Sequence, residues 1–572
     1  MAPLSALLLA GVYAAAAAAV AAAAPALDFD VVVYSSSPAG VAAAVAAGTL
    51  GLRVALYEPL KMIGGMGAAG NLALNDGGQS AERTGLARAF ALENGKAYGL
   101  DTEVCHPESF VAEASFYAML KAANVSTVRL DCRLLSAQTA AVAAGSAVAS
   151  ISVLCEPQPV TAAVFIDASY DGEVMVAAGD VAYTSGREAI ATYNESLAGA
   201  RAPGWTGVSG PRHVDALRPD GSLLKYVADL SELAAPGEAD DALMAFQHRM
   251  CVSGDADRVP WPAPPGYNRD DFLLIQRALD ANGGDPSFFT AMPPSALPGY
   301  PGPKKKYCLC CGISVGASDQ PTLNKGWANA TWDRKQEIIA DYLYFELGTF
   351  HYLATDPAVP QAVRDKFSAY GLCADEFTAF GNVPPQLYIR ISNRLVGDYV
   401  VTQNNIAAPR SKPDSIAVGD WSLDEHMTGK YAVPVPGQPG KFEVTLEGNF
   451  WPNLANNSNW YDLPFAVMTP KRGTGVNLLV PVALSASAVA YSSTRIVSRQ
   501  TRSLRLPRSP YPHLTLERAQ ENMLMSVGSA AGVAAQQLVS GAVTAVQDVN
   551  VTLVQEILVA TFKQRVHGPP GS

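Results

Sequence analysis

The stretch FDVVVYSSSPAGVAAAVAAGTLGLRVALYEPLKMIGGMGAAGNLALND, residues 29 to 76, decides how the rest of the chain is read. It opens on a β-branched apolar run, Val31 to Val33, and crosses a turn of small residues. An alanine-rich segment of helical length follows, then a second apolar run ending at Glu58. Strand, helix and strand within about 30 residues make a βαβ unit of dinucleotide-binding length. In such a unit a pyrophosphate rests on backbone N–H groups at the helix N-terminus, where the helix dipole favours negative charge. The acidic residue closing the second strand accepts a hydrogen bond from a ribose hydroxyl. Glu58 stands 18 positions beyond Gly40, near the usual spacing of about 20.

The turn departs from the glycine fingerprint. Where G-x-G-x-x-G places three glycines, this chain has Ser35, Ser37 and Gly40. Serine meets a Cβ penalty wherever the turn needs positive φ. Pro38 and Ala39 precede Gly40, the one glycine of the three that survives. Past Glu58 and Pro59 comes a second glycine-rich loop, Gly64-Gly65-Met66-Gly67, where backbone can approach a large flat cofactor. The turn by itself leaves open an ordinary buried βαβ unit.

The pattern VVVY-x-x-x-PAG-VAAA, the glutamate and the GGM loop resembles the opening of the FAD-dependent oxidoreductase family, within the glutathione-reductase-like and fumarate-reductase-like flavoproteins. Similar segments recur at Asp167 to Gly172, Tyr193 to Gly199, Phe246 to Cys251, Pro384 to Val400 and Ser526 to Ala535. The resemblance implies an α/β fold: a Rossmann-like FAD-binding domain with a parallel sheet and a small antiparallel layer, and an inserted α+β substrate or cap domain. It implies residues 27–200 and 465–565 for the first and 201–464 for the second. It also implies FAD contacts at Ser35, Ser37, Pro38, Ala39, Gly40, Glu58, Pro59, Gly64, Gly65, Met66, Asp167, Ala168, Gly528, Ala531 and Gly532. In the family the C-terminal helix directs its positive end at the flavin edge that gains charge on reduction. The covalently flavinylated relatives use a histidine near the second loop. Lys61, Met62 and Ile63 stand there instead, so the expected FAD is non-covalent.

Flavin carries the redox step, and the protein supplies binding, orientation and electrostatics. The expectation is hydride transfer at flavin N5 to or from a small organic substrate. Candidates for the substrate site are His248, Arg249, Tyr388, Arg390, His426 and Arg495. Arginine clamps carboxylates bidentately, and histidine moves protons near neutral pH. Each also reads as an ion-pairing or core residue. Two other functions stay open: a catalytically silent, cofactor-poor binding protein, and an NAD(P)-binding oxidoreductase without flavin. The GGM loop and the C-terminal return argue against the latter.

Around this unit, 572 residues with 49% hydrophobic content suffice for two domains, and a net charge of -11 argues against nucleic acid or an anionic membrane as partner. Residues 4 to 24 are almost wholly Leu, Ala and Val, and Ala24-Pro25-Ala26 fits a cleavage site, so residues 1–26 read as a secretory signal. A secreted or luminal protein follows, with an uncleaved anchor or organelle targeting as alternatives. No later segment reads as a membrane span. Sequons at Asn124, Asn194, Asn329, Asn456 and Asn550 agree with that route. Eight cysteines permit disulfides whose pairing is not readable from sequence. Cys308-x-Cys310-Cys311 lacks both a C-x-x-C pair and a nearby histidine, so no metal is expected.

Val125 to Leu135 and Val148 to Leu154 read as strands of the antiparallel layer, joined by the Ala/Gly stretch 139–147. Trp332 to Leu353 has the apolar spacing of a long helix, and Pro384 to Arg390 reads as a proline-led helix start. The basic run 497–520 interrupts the resemblance, as a retained intron or a surface insertion.

Overall fold

Runs that are apolar at every position belong in strands covered on both faces, and that is where this chain puts them. In a computed structural model, β1 (Phe29–Tyr34) lies at the centre of a five-stranded sheet with β2 (Val54–Tyr57), β3 (Thr127–Arg129), β4 (Ala162–Asp167) and β5 (Leu478–Leu479). The order is β5-β4-β1-β2-β3, and every pair is parallel. Val33 stands opposite both Leu56 and Ile166, so the carboxyl ends of β1, β2 and β4 lie side by side, the edge where ligands bind in such sheets. The fold is the expected α/β class with a Rossmann-type parallel sheet and smaller antiparallel sheets. The described residues are 27–76, 83–204, 213–289, 300–309, 314–407, 411–419, 423–448, 460–495 and 522–568. The signal-like run 1–26, the insertion 497–520, Cys310, Cys311 and Asn456 lie outside them.

Helix α1 (Pro38–Thr49) joins β1 to β2 and is buried from Pro38 to Gly48. A helix mainly of alanine, glycine and valine has no amphipathic stripe, and it is covered because a late segment lies on it: Gly528 and Gly532 of the helix Asn522–Val539 meet its backbone. A Cβ at Gly528 would stand 2.1 Å from the Ala39 carbonyl, and one at Gly532 2.2 Å from that of Ala43. An early helix and a late one therefore pack directly together.

The antiparallel layer differs from expectation. Thr127–Arg129 joins the main sheet as β3, and the ribbon runs from Leu134–Val142 to Gly145–Val153, straight through the Ala/Gly stretch. Small side chains suit a half-exposed ribbon as well as a turn, and a disulfide between Cys132 and Cys155 closes its base.

Helix α2 (Trp332–Thr355) runs two residues beyond the expected end, with the Thr331 hydroxyl capping it by accepting from Arg334 N–H. Its Phe345, Phe350 and Leu353 join a second core with Phe272, Leu279 and Phe367. Its buried Lys335 pairs with Asp171 at 2.7 Å, and Trp327 Nε1 donates to the same carboxylate, fastening this layer to the segment after β4. The strands Lys306–Leu309, Met250–Ser253 and Gly371–Leu372 form an antiparallel sheet, stapled by Cys251–Cys373. Pro384 to Arg390 is extended rather than helical, because Tyr388 N–H donates across to the Gln247 carbonyl at 2.9 Å. Among the described residues no helix is long and apolar enough to cross a membrane.

Candidate functional site

The first half of the site is the turn after β1. Ser35 takes φ +70°, the left-handed conformation that the fingerprint's first glycine would supply. Ser37 does something else: it caps α1, its hydroxyl accepting from Gly40 N–H at 3.3 Å and donating to the Ala168 carbonyl at 2.7 Å. Gly40 is obligatory, since a Cβ there would stand 2.1 Å from the Ser35 carbonyl. Helix α1 carries no acidic residue in its first turn, so its positive end is uncompensated by side-chain charge there.

Glu58, buried at the end of β2, accepts from the Ser36 N–H at 2.7 Å and the Ser36 hydroxyl at 2.6 Å, both on Oε2, and from Leu60 N–H at 2.8 Å on Oε1. Burial pushes its carboxyl up to about 7, against the opposing pull of those donors. The second loop closes on the turn: Gly64 N–H donates to the Ser36 carbonyl and hydroxyl, and Met66 N–H donates to the Tyr170 hydroxyl at 2.8 Å. Pro59 follows Glu58 at the edge of this cradle, half-buried. Asp167, at the end of β4, turns its carboxylate into its own strand-to-helix turn, accepting from Ser169 and from Met175 N–H. Ala168 N–H donates back to Tyr34. Gly528 and Gly532 lie in the contact with α1, with Ala531 wholly buried between them.

The second half is a ring of charges around one phenol. The guanidinium carbons of Arg390, Arg495 and Arg249 stand 4.6, 5.7 and 5.9 Å from the centre of the Tyr388 ring. Arg390 pairs with Asp319 at 3.0 Å, Asp319 with His426 Nδ1 at 2.5 Å, and His426 Nε2 lies 3.6 Å from Asp424. Arg495 closes the circuit, 3.6 Å from Asp424 and donating to the Tyr388 hydroxyl at 2.7 Å. Burial alone would raise Asp319, but Arg390 and His426 hold it below the usual carboxylate range. Burial and Arg390 work against a charge on His426, yet Asp319 and Asp424 raise it above the ordinary imidazole value.

Five of the six residues singled out from sequence therefore meet at Tyr388. His248 stands apart: its Nδ1 and backbone N–H both engage Glu346 of α2, at 2.8 and 2.7 Å. Three participants escape a reading by motif, namely Ser36, Asp319 and Glu346. Ser36 lies between two residues that the fingerprint does single out, while Asp319 and Glu346 have no local signal at all.

The two halves touch. Asn71, at the end of the second loop, donates through Nδ2 to the Arg249 carbonyl at 2.9 Å, and Gln386 N–H donates to the Ala69 carbonyl at 3.2 Å. A family model described as FAD dependent oxidoreductase matches residues 30–499. The chain belongs to this family. Its cofactor is FAD. No curated protein matches the chain. Among solved structures it resembles Thermovibrio ammonificans THI4 at 19% identity, covering 26% of this chain and 60% of that one, TM-score 0.21. It also resembles T. acidophilum thioredoxin reductase (20% identity, 25% and 35% covered, TM-score 0.16) and OTEMO in complex with FAD and NADP (14%, 36% and 34%, TM-score 0.18). In each case this chain covers less than two thirds of the other.

The cradle of this FAD-dependent oxidoreductase fits its cofactor on its own geometry. Gly40 leaves no room for a Cβ, α1 presents capped but uncharged backbone donors, and among the described residues no basic side chain pairs with Glu58, leaving its carboxylate to hydroxyl and N–H donors.

Proposed function

We propose that this oxidoreductase transfers hydride between FAD and a small organic substrate that lies over Tyr388. One observation carries the reading: the second glycine loop is hydrogen-bonded to the two segments that bring Arg249 and Tyr388. Bound flavin supplies a hydride acceptor or donor at N5. The chain's own groups do the rest. Arg495 donates to the Tyr388 oxygen, so the phenol's hydrogen is directed away from that guanidinium and serves a substrate oxygen. Arg249, Arg390 and Arg495 stabilise negative charge growing on that oxygen inside a site shielded from water. Asp319 and Asp424 orient His426 in the ring and favour its protonated form. FAD binding falls to the turn and second loop, Ser35 to Gly40, Glu58, Pro59 and Gly64 to Met66, with Asp167, Ala168, Gly528, Ala531 and Gly532 around them.

Purified protein tests this directly. It should show flavin absorption bands, and hydroxy or keto acids should bleach or restore them under anaerobic conditions. Tyr388→Phe should slow that flavin reduction at least about 100-fold, the usual worth of positioned proton transfer, while FAD binding holds. Protein that takes up no FAD sinks the proposal.

A secretory location is part of the same reading. The sequon asparagines Asn124, Asn194, Asn329 and Asn550 are all exposed, and two disulfides suit an oxidising compartment. Glycosidase treatment of the expressed protein should shift its mobility, and an unshifted band argues for another address.

A further inference from the structure

Ser36 occupies the position between the fingerprint's first two glycines, where the motif asks for nothing in particular. Here it is fully buried and joins three separate parts of the cradle. Its N–H and its hydroxyl both donate to Glu58 Oε2, at 2.7 and 2.6 Å, and its carbonyl and hydroxyl both accept from Gly64 N–H, at 3.0 and 3.1 Å. Turn, acidic strand end and second loop are thus tied through one side chain. A glycine could make the backbone bonds but neither hydroxyl bond.

The accounting of lone pairs gives those bonds a purpose. An ionised carboxylate accepts about four hydrogen bonds. Ser36 takes two of these on Oε2 and Leu60 N–H takes one on Oε1, which leaves a single acceptor direction on Oε1. With Oε2 pinned twice, the carboxylate cannot rotate about its last torsion, and the remaining direction is held still. Glu58 is 2% exposed, so water does not supply the missing donors.

We propose that Ser36 is a positioning residue for FAD: its hydroxyl locks the Glu58 carboxylate and the Gly64 end of the second loop so that one carboxylate oxygen is left aimed for a ribose hydroxyl. The proposal rests on residues 29–67 being the FAD cradle, and it assigns to the middle serine of this turn a task that the three-glycine fingerprint leaves to backbone.

The test is binding to the full-length apoprotein, read by quenching of flavin fluorescence and by calorimetry with ADP, which carries the adenosine ribose alone. Loss of a hydrogen bond to a charged group should raise the FAD dissociation constant about tenfold in Ser36→Gly and Ser36→Ala. Calorimetry should show the same factor for ADP. Against 2′,3′-dideoxy-ADP the difference between wild type and variants should vanish, an outcome that a merely structural role would not produce. Ser36→Cys keeps the volume and weakens the donor, and covers the case in which the glycine or alanine variants do not fold; it should bind FAD several-fold more weakly. If Ser36→Gly, or Ser36→Cys where the former is unfolded, binds FAD as tightly as wild type, the inference is overturned while the cradle stands. If wild type itself binds neither FAD nor ADP, the cradle reading fails first.

Discussion

The turn at Ser35–Gly40 and the ring at Tyr388 bury polar groups in opposite ways. The turn has one carboxylate, Glu58, and answers it with hydroxyl and backbone donors from neighbours in sequence; Ser36 and Gly64 are 28 residues apart. The ring has guanidinium groups and carboxylates from five segments, with Asp319 and His426 107 residues apart and Tyr388 and Arg495 equally distant. A carboxylate satisfied by neutral donors tolerates burial at the cost of a raised pKa. Charges satisfied by charges keep their ionisation but depend on every partner, since removing one leaves another buried and uncompensated. Glu58 is thus held by neutral donors near it in sequence, and the substrate half by long-range charge balance.

Four measurements would break or sharpen that contrast. The largest effect is expected from Gly40→Val. Its Cβ would stand 2.1 Å from the Ser35 carbonyl, and a clash with backbone at a core turn belongs to the rare class costing more than about 4 kcal/mol. Folded, FAD-containing protein from this variant would show that the turn is not rigid. Next, Asp319→Asn leaves Arg390 and His426 without their shared counter-charge, for an expected loss of about 3–5 kcal/mol in denaturant unfolding. A loss under about 1 kcal/mol would mean the ring is screened like a surface pair.

A smaller effect should come from pH. Burial raises Glu58, Glu376 and Glu425 to about 7 and Glu173 to about 6. Each holds its proton in the folded chain after an unfolded carboxyl, near 4.5, has released it. The native state therefore binds more protons between those values, and apoprotein stability should fall as pH rises from about 4.5 to about 7. Glu58→Gln should flatten part of that slope, and a melting temperature that climbs over the same interval contradicts the assignment. Smallest is Ser37→Ala, which removes both the cap on α1 and the hydrogen bond to the Ala168 carbonyl and should cost about 1 kcal/mol; no change would show that neither bond holds the turn.

How far the chain could be read in advance follows the same division. The βαβ unit, both glycine loops, α2 and the C-terminal return are legible because their signals are periodic or lie at fixed offsets. Pro384 to Arg390 misleads, since the hydrogen bond from Tyr388 to Gln247 that makes it extended comes from a segment far away in sequence. The ribbon misleads because alanine and glycine carry no period. Asp319 and Glu346 are invisible for the same reason that they matter: an acid reveals its partner only when the chain has folded.

Composition and spacing alone determine that residues 29–76 open with a βαβ unit of dinucleotide-binding length, because strand, helix and close-packed turn are local consequences of residue size and periodicity. Only the tertiary structure decides which cysteines pair, that Ser36 rather than Ser35 or Ser37 holds Glu58, and that three arginines, two aspartates and His426 gather around Tyr388. Those outcomes depend on distances between segments remote in sequence, and such distances exist only once the core has packed.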